Sequence, residues 1–524
     1  PTREPSLDDA TLLSASALTQ LRGGLWPQGP LSTYALDWII SLRCPSVIGF
    51  HFSGQIIMKI VVDQIDCYER PFNLRLPFRY GIVTLEKAIQ AFVRVRVSTT
   101  TGRYQIGWSA EVMAPKWFDK TPQLSNQANE QQLRESIRIA ASTYVKGDPL
   151  TPFALHASRY QAIVDTAGQM GLNPLVASYG PALLDRAILD ACCQMKEINF
   201  FNAINSNLPD IQPSALTADF SHFDMDRHLS TLVPREQLWL RHTIGMADAL
   251  DDTDLIGRTV PDDRLPVTLQ QVISVHKPRY FKIKLSGNTL FDRDRLNRIA
   301  KALSSVSQRY GFSLDGNEQY ESFEEFHEAF LQFRDDPSIA SFMSQCLFIE
   351  QPVKRENTFC RTTRIPPNLP PVIIDEADSG PDSFVEALQL GYRGVSSKQC
   401  KGIYRSLINH ARVHIHGPSF LITAEDLTTQ AGINVQQDLA LAALLGIEHV
   451  EKNGHFYVNG MAGAEADEQR RFLQAHPTLY QGIDQTTHLR IIDGKINLRD
   501  LSGPGFATHT YPDFKLSAPV LQIN

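Results

Sequence analysis

Five polar groups close short apolar runs in the second half of this 524-residue chain. They stand in Phe281-Lys282-Ile283-Lys284, Leu314-Asp315-Gly316-Asn317, Phe348-Ile349-Glu350-Gln351-Pro352, Ile373-Ile374-Asp375-Glu376 and Gly394-Val395-Ser396-Ser397-Lys398. The intervals between Lys284, Asp315, Glu350, Asp375 and Lys398 are 31, 35, 25 and 23 residues, each long enough for a strand, a helix and two short loops. Any one carboxylate in such a place could cap a helix. Three in succession repel one another unless a cation joins them. An all-oxygen set suits Mg2+ or Mn2+ better than zinc. Lysines just before and just after the acids then supply candidate acid/base groups. An ordinary lysine, with a pKa of about 10.4, is a poor base at neutral pH. A neighbouring cation, such as Lys282 or the metal, would lower it. The chemistry that calls for this arrangement is removal of a proton from the carbon beside a carboxylate, whose enolate needs positive charge on its oxygens.

These groups have to be held by something, and the spacing predicts it. Repeated βα units with functional side chains at strand C-terminal ends describe a parallel barrel whose active site lies on one face. The barrel is expected over 236–460, beginning near Leu238–Ile244 and ending near His449–Val450. Helices are expected at Phe291–Gln308, Phe323–Phe333, Asp382–Leu390 and Gln436–Leu445. Before it, 56–235 reads as an α+β domain. Its strands are Ile56–Ile65, Ala91–Ser98 and Tyr104–Ser109, with Val93, Val95 and Val97 alternating with Arg94 and Arg96. Its helices are expected at Gln127–Ala141, Pro152–Gln169 and 181–205. Residues 1–55 are an extension with short helices predicted at Ser16–Leu21 and Thr33–Leu42. Residues 461–524, with strands at Leu489–Ile492 and Lys495–Leu498, are expected to return to the first domain.

Composition narrows the class. A chain 43% hydrophobic can bury a large core in more than one domain. A net charge of −7 with interspersed signs gives no polybasic surface for nucleic acid. No apolar run reaches 18 residues, so no membrane span is expected. The seven cysteines lack metal-ligand pairing, and a reduced, cytoplasmic setting is expected.

The ordered set Lys-x-Lys, Asp-x-Asn, Glu-Gln-Pro, Asp-Glu and Lys resembles the enolase superfamily, and within it the muconate-lactonizing-enzyme-like subgroup (mandelate racemase/muconate lactonizing enzyme family). The resemblance spans about residues 57–510. It implies a modified TIM barrel of (β/α)7β type, with an α+β capping domain formed by the N-terminal part and the extreme C-terminus. It implies Asp315, Glu350 and Asp375 as ligands of Mg2+ or Mn2+, and Lys284 and Lys398 as the acid/base pair. Lys282 becomes an electrostatic or substrate-carboxylate helper, Asn317 and Glu376 orient ligands, and Gln351-Pro352 is structural. The implied reaction on a small carboxylate substrate is racemisation or epimerisation, cycloisomerisation or syn-elimination, in a homo-oligomer. Substrate contacts are expected from Pro71–Gly81 (Arg75, Arg79) and Trp108–Lys120 (Lys116, Trp117) of the capping domain. From the last barrel strands, Glu425, Asp426, His449 and Glu451 are expected. Two other readings stay open on the residues alone: a barrel whose lysine forms a Schiff base, and a scaffold that binds without catalysing. The sequence differs from the family pattern at Gln399-Cys400-Lys401-Gly402-Ile403 and at Gly107-Trp108-Ser109-Ala110-Glu111.

Overall fold

The structure is a computed structural model that describes residues 57–80, 83–361, 363–514 and 517–524. The predicted helices at Ser16–Leu21 and Thr33–Leu42 lie outside them.

Period-two alternation builds the first sheet. Val93, Val95 and Val97 are fully buried, while Arg96 on the other face is exposed. The strands are β1 (Ile60–Tyr80), β2 (Val83–Thr99) and β3 (Tyr104–Met113), all antiparallel. Leu521–Ile523 pairs with the outer edge of β1, which brings the end of the chain back to this sheet. The expected strand at Ile56–Ile65 is far longer. β1 runs through Pro71, with a register shift between Asn73 and Phe78, so 71–80, expected to supply substrate contacts, is one arm of a long hairpin.

Three helices pack beside this sheet: α1 (Asn126–Tyr144), α2 (Pro152–Gln169) and α3 (Pro174–Lys196). Each begins where its sequence says it should. Ser125, Thr151 and Asn173 cap the first turns through side-chain oxygens, and Pro152 and Pro174 occupy positions where no amide donor is needed. The predicted helix at 181–205 is two helices, α3 and Phe200–Asn205, broken at Glu197 in the left-handed region. Cys192 and Cys193 are buried on α3. α3 comes so close to β3 that a Cβ on Gly107 would lie 2.1 Å from the Ala187 carbonyl oxygen.

Eight parallel strands form the second sheet: β4 (Gln237–Ile244), β5 (Tyr280–Lys284), β6 (Gly311–Asp315), β7 (Cys346–Glu350), β8 (Val372–Ile374), β9 (Gly394–Ser397), β10 (Leu421–Ala424) and β11 (His449–Glu451). Pairing of β11 with β4 closes the barrel. The helices between them, among them Thr289–Leu303, Phe323–Arg334, Ser383–Leu390 and Ile433–Leu444, fall within a few residues of their predicted places. Lys495–Asn497 joins β4 antiparallel, so this strand belongs to the barrel sheet. The strand expected at Leu489–Ile492 lies instead at Thr486–Leu489, in a two-stranded hairpin.

Candidate active site

Strand register does most of the gathering. Lys284 stands opposite Asp315, and Asp315 opposite Glu350, as direct neighbours across β5, β6 and β7. Asp375, Lys398 and Glu425 each follow the last residue of β8, β9 and β10, and Glu451 ends β11. All seven side chains therefore converge at the C-terminal mouth of the barrel, the face where loops can build a site. β5 and β9 are four strands apart in a closed eight-stranded sheet, so Lys284 and Lys398 stand on opposite sides of the acids.

The acids and bases are buried and interleaved. Lys282 Nζ lies 2.9 Å from Asp315, 2.8 Å from Glu350, 2.9 Å from Glu425 and 2.9 Å from Glu451. Lys284 Nζ donates to Asp315 Oδ2 at 2.6 Å. Lys398 pairs with Asp375, and its ammonium sits 4.8 Å from the centre of the Trp117 ring. Lys401, not anticipated from sequence, is 3.0 Å from Asp375 Oδ1 and donates to the Asp375 and Ser396 carbonyls at 2.8 Å. Arg241, also unanticipated, pairs with Glu425 from beneath.

Electrostatics follow from this packing. Burial, with Asp315 and Glu425 beside it, pushes Glu350 well above the ordinary carboxyl range against the pull of Lys282. Burial opposes charge on Asp375 as well, but Lys398, Lys401 and Lys282 outweigh it and hold the carboxyl far below its usual range. Burial alone would lower Lys398; Asp375, Glu350 and Glu425 instead hold it above the lysine range.

Among the described residues, no three acid, histidine or cysteine groups are gathered at ligating geometry, because ammonium groups stand between the acids. The oxygens nevertheless leave capacity for a hard cation. Glu350 Oε2 and Asp375 Oδ1 are within ion-pair distance of lysines yet accept no hydrogen bond, and Asn317 Oδ1 and Glu376 Oε2 accept none either. Around them the support is dense. The Asn317 amide donates to Asp315 Oδ1 at 2.9 Å, and its side chain reaches Glu376 at 3.4 Å. Lys120 bridges the Asn317 carbonyl, Glu376 and Glu318. Gln351 Oε1 accepts from the Asp375 and Ala377 amides, fixing the turn after β8.

The residues expected to touch substrate divide into two groups. Trp117, Asp426 and Glu451 line the cavity above the lysines, together with Phe78, Tyr80, Leu85, Leu427, Thr428 and Asn453. The others do not reach it. Arg75 is spent on Asp263 and on the Pro266 and Phe456 carbonyls. Arg79 lies between Phe78 and Tyr80 on a strand, so it points away from the cavity into solvent. Lys116 donates to the Thr121 and Leu124 carbonyls. Glu425 is consumed by Arg241, Lys282 and Thr423. His449 lies deeper in the barrel against Arg241 and stacked on Tyr280, held neutral by burial and by that arginine.

The stretch after Lys398, where the sequence departs from the family pattern, is held from the first sheet's side. Gln399 Oε1 accepts from Arg186 Nη1 of α3 at 2.7 Å, and Arg186 also reaches Glu111 at 3.2 Å. Glu111 in turn accepts from Asn434 at 2.9 Å. Sequence distance hid this link, since Arg186 and Gln399 are far apart in the chain.

No protein-family model and no curated protein matches this sequence. Solved structures do share its architecture. A dipeptide epimerase from Enterococcus faecalis, complexed with Mg and the dipeptide L-Leu-L-Tyr, is 14% identical over 85% of this chain and 99% of its own, with a TM-score of 0.52. A 2-chloromuconate cycloisomerase from Rhodococcus opacus is 16% identical over 85% of this chain and 96% of its own, with a TM-score of 0.53. A member of the enolase superfamily from Roseovarius nubinhibens, complexed with magnesium, is 13% identical over 89% of this chain and 100% of its own, with a TM-score of 0.53. The fold is that of the enolase superfamily.

Proposed function

We propose that this chain is an enzyme that removes the α-proton of a small carboxylate substrate, with Lys284 and Lys398 as the proton-transferring groups and Mg2+, or Mn2+, as its metal. The observation that carries this reading is the placement of the two lysines on opposite sides of three buried acids at the barrel mouth. Asp315, Glu350 and Asp375 would hold the metal, with Asn317 and Glu376 steadying them. Bound there, the metal would stabilise the negative charge that builds on the substrate carboxylate as the proton leaves.

The chain's own groups supply the rest. Lys284 and Lys398 each approach the cavity from one side, so one can take a proton from a face and the other return one to the opposite face. That pair serves racemisation or epimerisation, cycloisomerisation, or elimination. Lys282 is enclosed by four carboxylates and acts as the fixed cation that lets them lie together. Asp315, Glu350, Asp375, Glu425 and Glu451 are offset by Lys282, Lys284, Lys398, Lys401 and Arg241, so this set is formally neutral. Burial holds Glu350 above the carboxyl range, so entry of a divalent ion would be offset by a proton leaving Glu350 as well as by a substrate carboxylate and a proton leaving one lysine. The reading thus couples metal, substrate carboxylate and base.

We assign 236–460, to which Lys495–Asn497 adds an antiparallel strand, as the catalytic barrel, and 56–235 with the returning strand Leu521–Ile523 as a capping domain that closes over it, 1–55 being an extension. No helix among the described residues is long and apolar enough to cross a membrane, and a cytoplasmic homo-oligomer is the setting proposed. Mn2+ titration followed by its paramagnetic resonance signal tests the metal. Glu350→Gln and Asp375→Asn should each weaken binding at least tenfold, and unchanged binding in both would reject the assignment.

A further inference from the structure

We propose that a second small-molecule site lies on the first sheet, apart from the barrel mouth, and that it takes a planar aromatic anion. It does not rest on the reading of Lys284 and Lys398. Strand register builds its floor. The alternation that buries Val93, Val95 and Val97 among the apolar core puts Phe92 and Arg94 on the opposite face. Tyr68 stands beside Phe92 and Trp108 beside Arg94, so β1, β2 and β3 all contribute to that face. The segment 509–514 and Arg471 of the helix Ala466–Ala475 supply the other walls. Together they bound a cavity of about 460 Å3, a size that suits a fused-ring ligand. It shares no lining residue with the cavity above the barrel-mouth lysines.

The walls are ring faces held in place. Tyr68 and Phe514 lie 4.7 Å apart between ring centres, with planes 14° from parallel. Trp108 lies 6.2 Å from Phe514 at 19°, and Tyr511 is 6.5 Å from Trp108. Near-parallel faces of this kind accept a further flat ring. The tail that carries Tyr511 and Phe514 is anchored along its length. Asp190 Oδ1 accepts from the Phe506 amide at 2.7 Å and from the Thr508 hydroxyl at 2.8 Å. Gln194 donates to the Tyr511 hydroxyl at 2.6 Å, and the Asp513 amide donates to Glu468 at 2.9 Å. The stacking surface is therefore formed before any ligand arrives.

Charge selects the sign of the ligand. Arg94 rises from the floor and Arg471 stands on the helix wall. Arg94 lies 2.9 Å from Asp66, but that carboxylate also serves Gln64 at 2.9 Å and Gln522 at 3.0 Å. The Arg94 side chain is still 35% exposed. Arg471 reaches Asp513 only at 3.4 Å, and its buried Nε donates to no acceptor among the described residues. A guanidinium carries five N–H donors, so both arginines keep capacity for anionic oxygens. Against them the lining holds one carboxylate, Asp513, with His509 beside it. An aromatic cation would face two fixed guanidiniums, and an aliphatic anion would leave the ring faces unused.

The test is titration calorimetry on the full chain with three probes: naphthalene-2-sulfonate, cyclohexanesulfonate and (2-naphthyl)trimethylammonium. We expect naphthalene-2-sulfonate to bind saturably and at least tenfold more tightly than the other two. Arg471→Met should weaken it at least fivefold. Arg470→Met removes the same charge from the same helix outside the cavity, and should leave the affinity as it was. Absence of saturable binding, or equal or tighter binding of either other probe, overturns the proposal. Equal effects of the two variants would place the probe elsewhere and overturn it as well. The ranking on the unaltered chain decides the ligand class even if a variant does not fold.

Discussion

Arg186→Met is the substitution that most sharply separates packing from electrostatics at the joint between α3 and the barrel. Arg186 is fully buried and donates to the Ala182 carbonyl at 3.1 Å, to Gln399 Oε1 at 2.7 Å and to Glu111 Oε2 at 3.2 Å. Methionine keeps most of the volume, so the loss is not a cavity effect. What is left behind is Gln399 Oε1 without its donor and a buried carboxyl on Glu111. Burial already pushes Glu111 up to about 7, with Arg186 pulling the other way. Removing one partner of a buried pair costs about 3–5 kcal/mol. Here the lower end applies, near 3 kcal/mol at pH 8, because Glu111 can escape its burden by taking a proton.

The sign with pH follows. A carboxyl raised in the folded state contributes stability that is present below its unfolded pKa and lost as pH rises through about 7. The arginine matters most when Glu111 is ionised, so the loss should be larger at pH 8 than at pH 6. Urea unfolding followed by tryptophan fluorescence at the two pH values measures it. Arg186→Met combined with Glu111→Gln should recover at least half of the loss at pH 8. A loss below about 1 kcal/mol, or a larger loss at pH 6, would refute the reasoning.

Three further outcomes are expected. Lys401→Met should destabilise by about 3–5 kcal/mol in urea unfolding, because it strips a buried cation from Asp375, while a loss under 1 kcal/mol would show Lys398 alone suffices. Gly454→Ala should lower stability by more than about 1–3 kcal/mol, since the new Cβ would lie 1.9 Å from the Thr429 carbonyl oxygen; unchanged melting would refute that contact. His228 and His410, whose ring nitrogens lie 3.1 Å apart, are both depressed to about 4, chiefly by burial. Depressed histidines contribute stability that is present above pH 6.5 and lost as pH falls through about 4. His228→Gln with His410→Gln should therefore flatten the melting profile over that window, and an unaltered slope would contradict it.

The barrel was legible because its signal is repeated. Each apolar run ends in a polar residue at βα spacing, and β5 to β9 stand within a residue or so of where those runs place them. The acids and lysines at the mouth were legible for the same reason, since strand ends and active-site mouths coincide in this architecture. What the sequence concealed was competition for side chains. Arg75 and Lys116 were expected to contact substrate, but backbone carbonyls close in space claim them, and a linear sequence carries no trace of that. Arg79 is lost to the cavity for a different reason: β1 continues to Tyr80, and strand alternation turns Arg79 outward. Lys401 and Arg241 were hidden among ordinary charged residues, and only burial singles them out.

The central claim concerns proton transfer by two lysines on opposite faces of one carbon. The direct measurement is deuterium uptake at the α-carbon in D2O with Mg2+, across a panel of chiral carboxylic acids, for the unaltered chain and for Lys284→Ala, Lys398→Ala and both together. The account predicts uptake by the unaltered chain, loss of uptake from one enantiomer in Lys284→Ala and from its mirror image in Lys398→Ala, and none in the double variant. Uptake that persists in the double variant would contradict it.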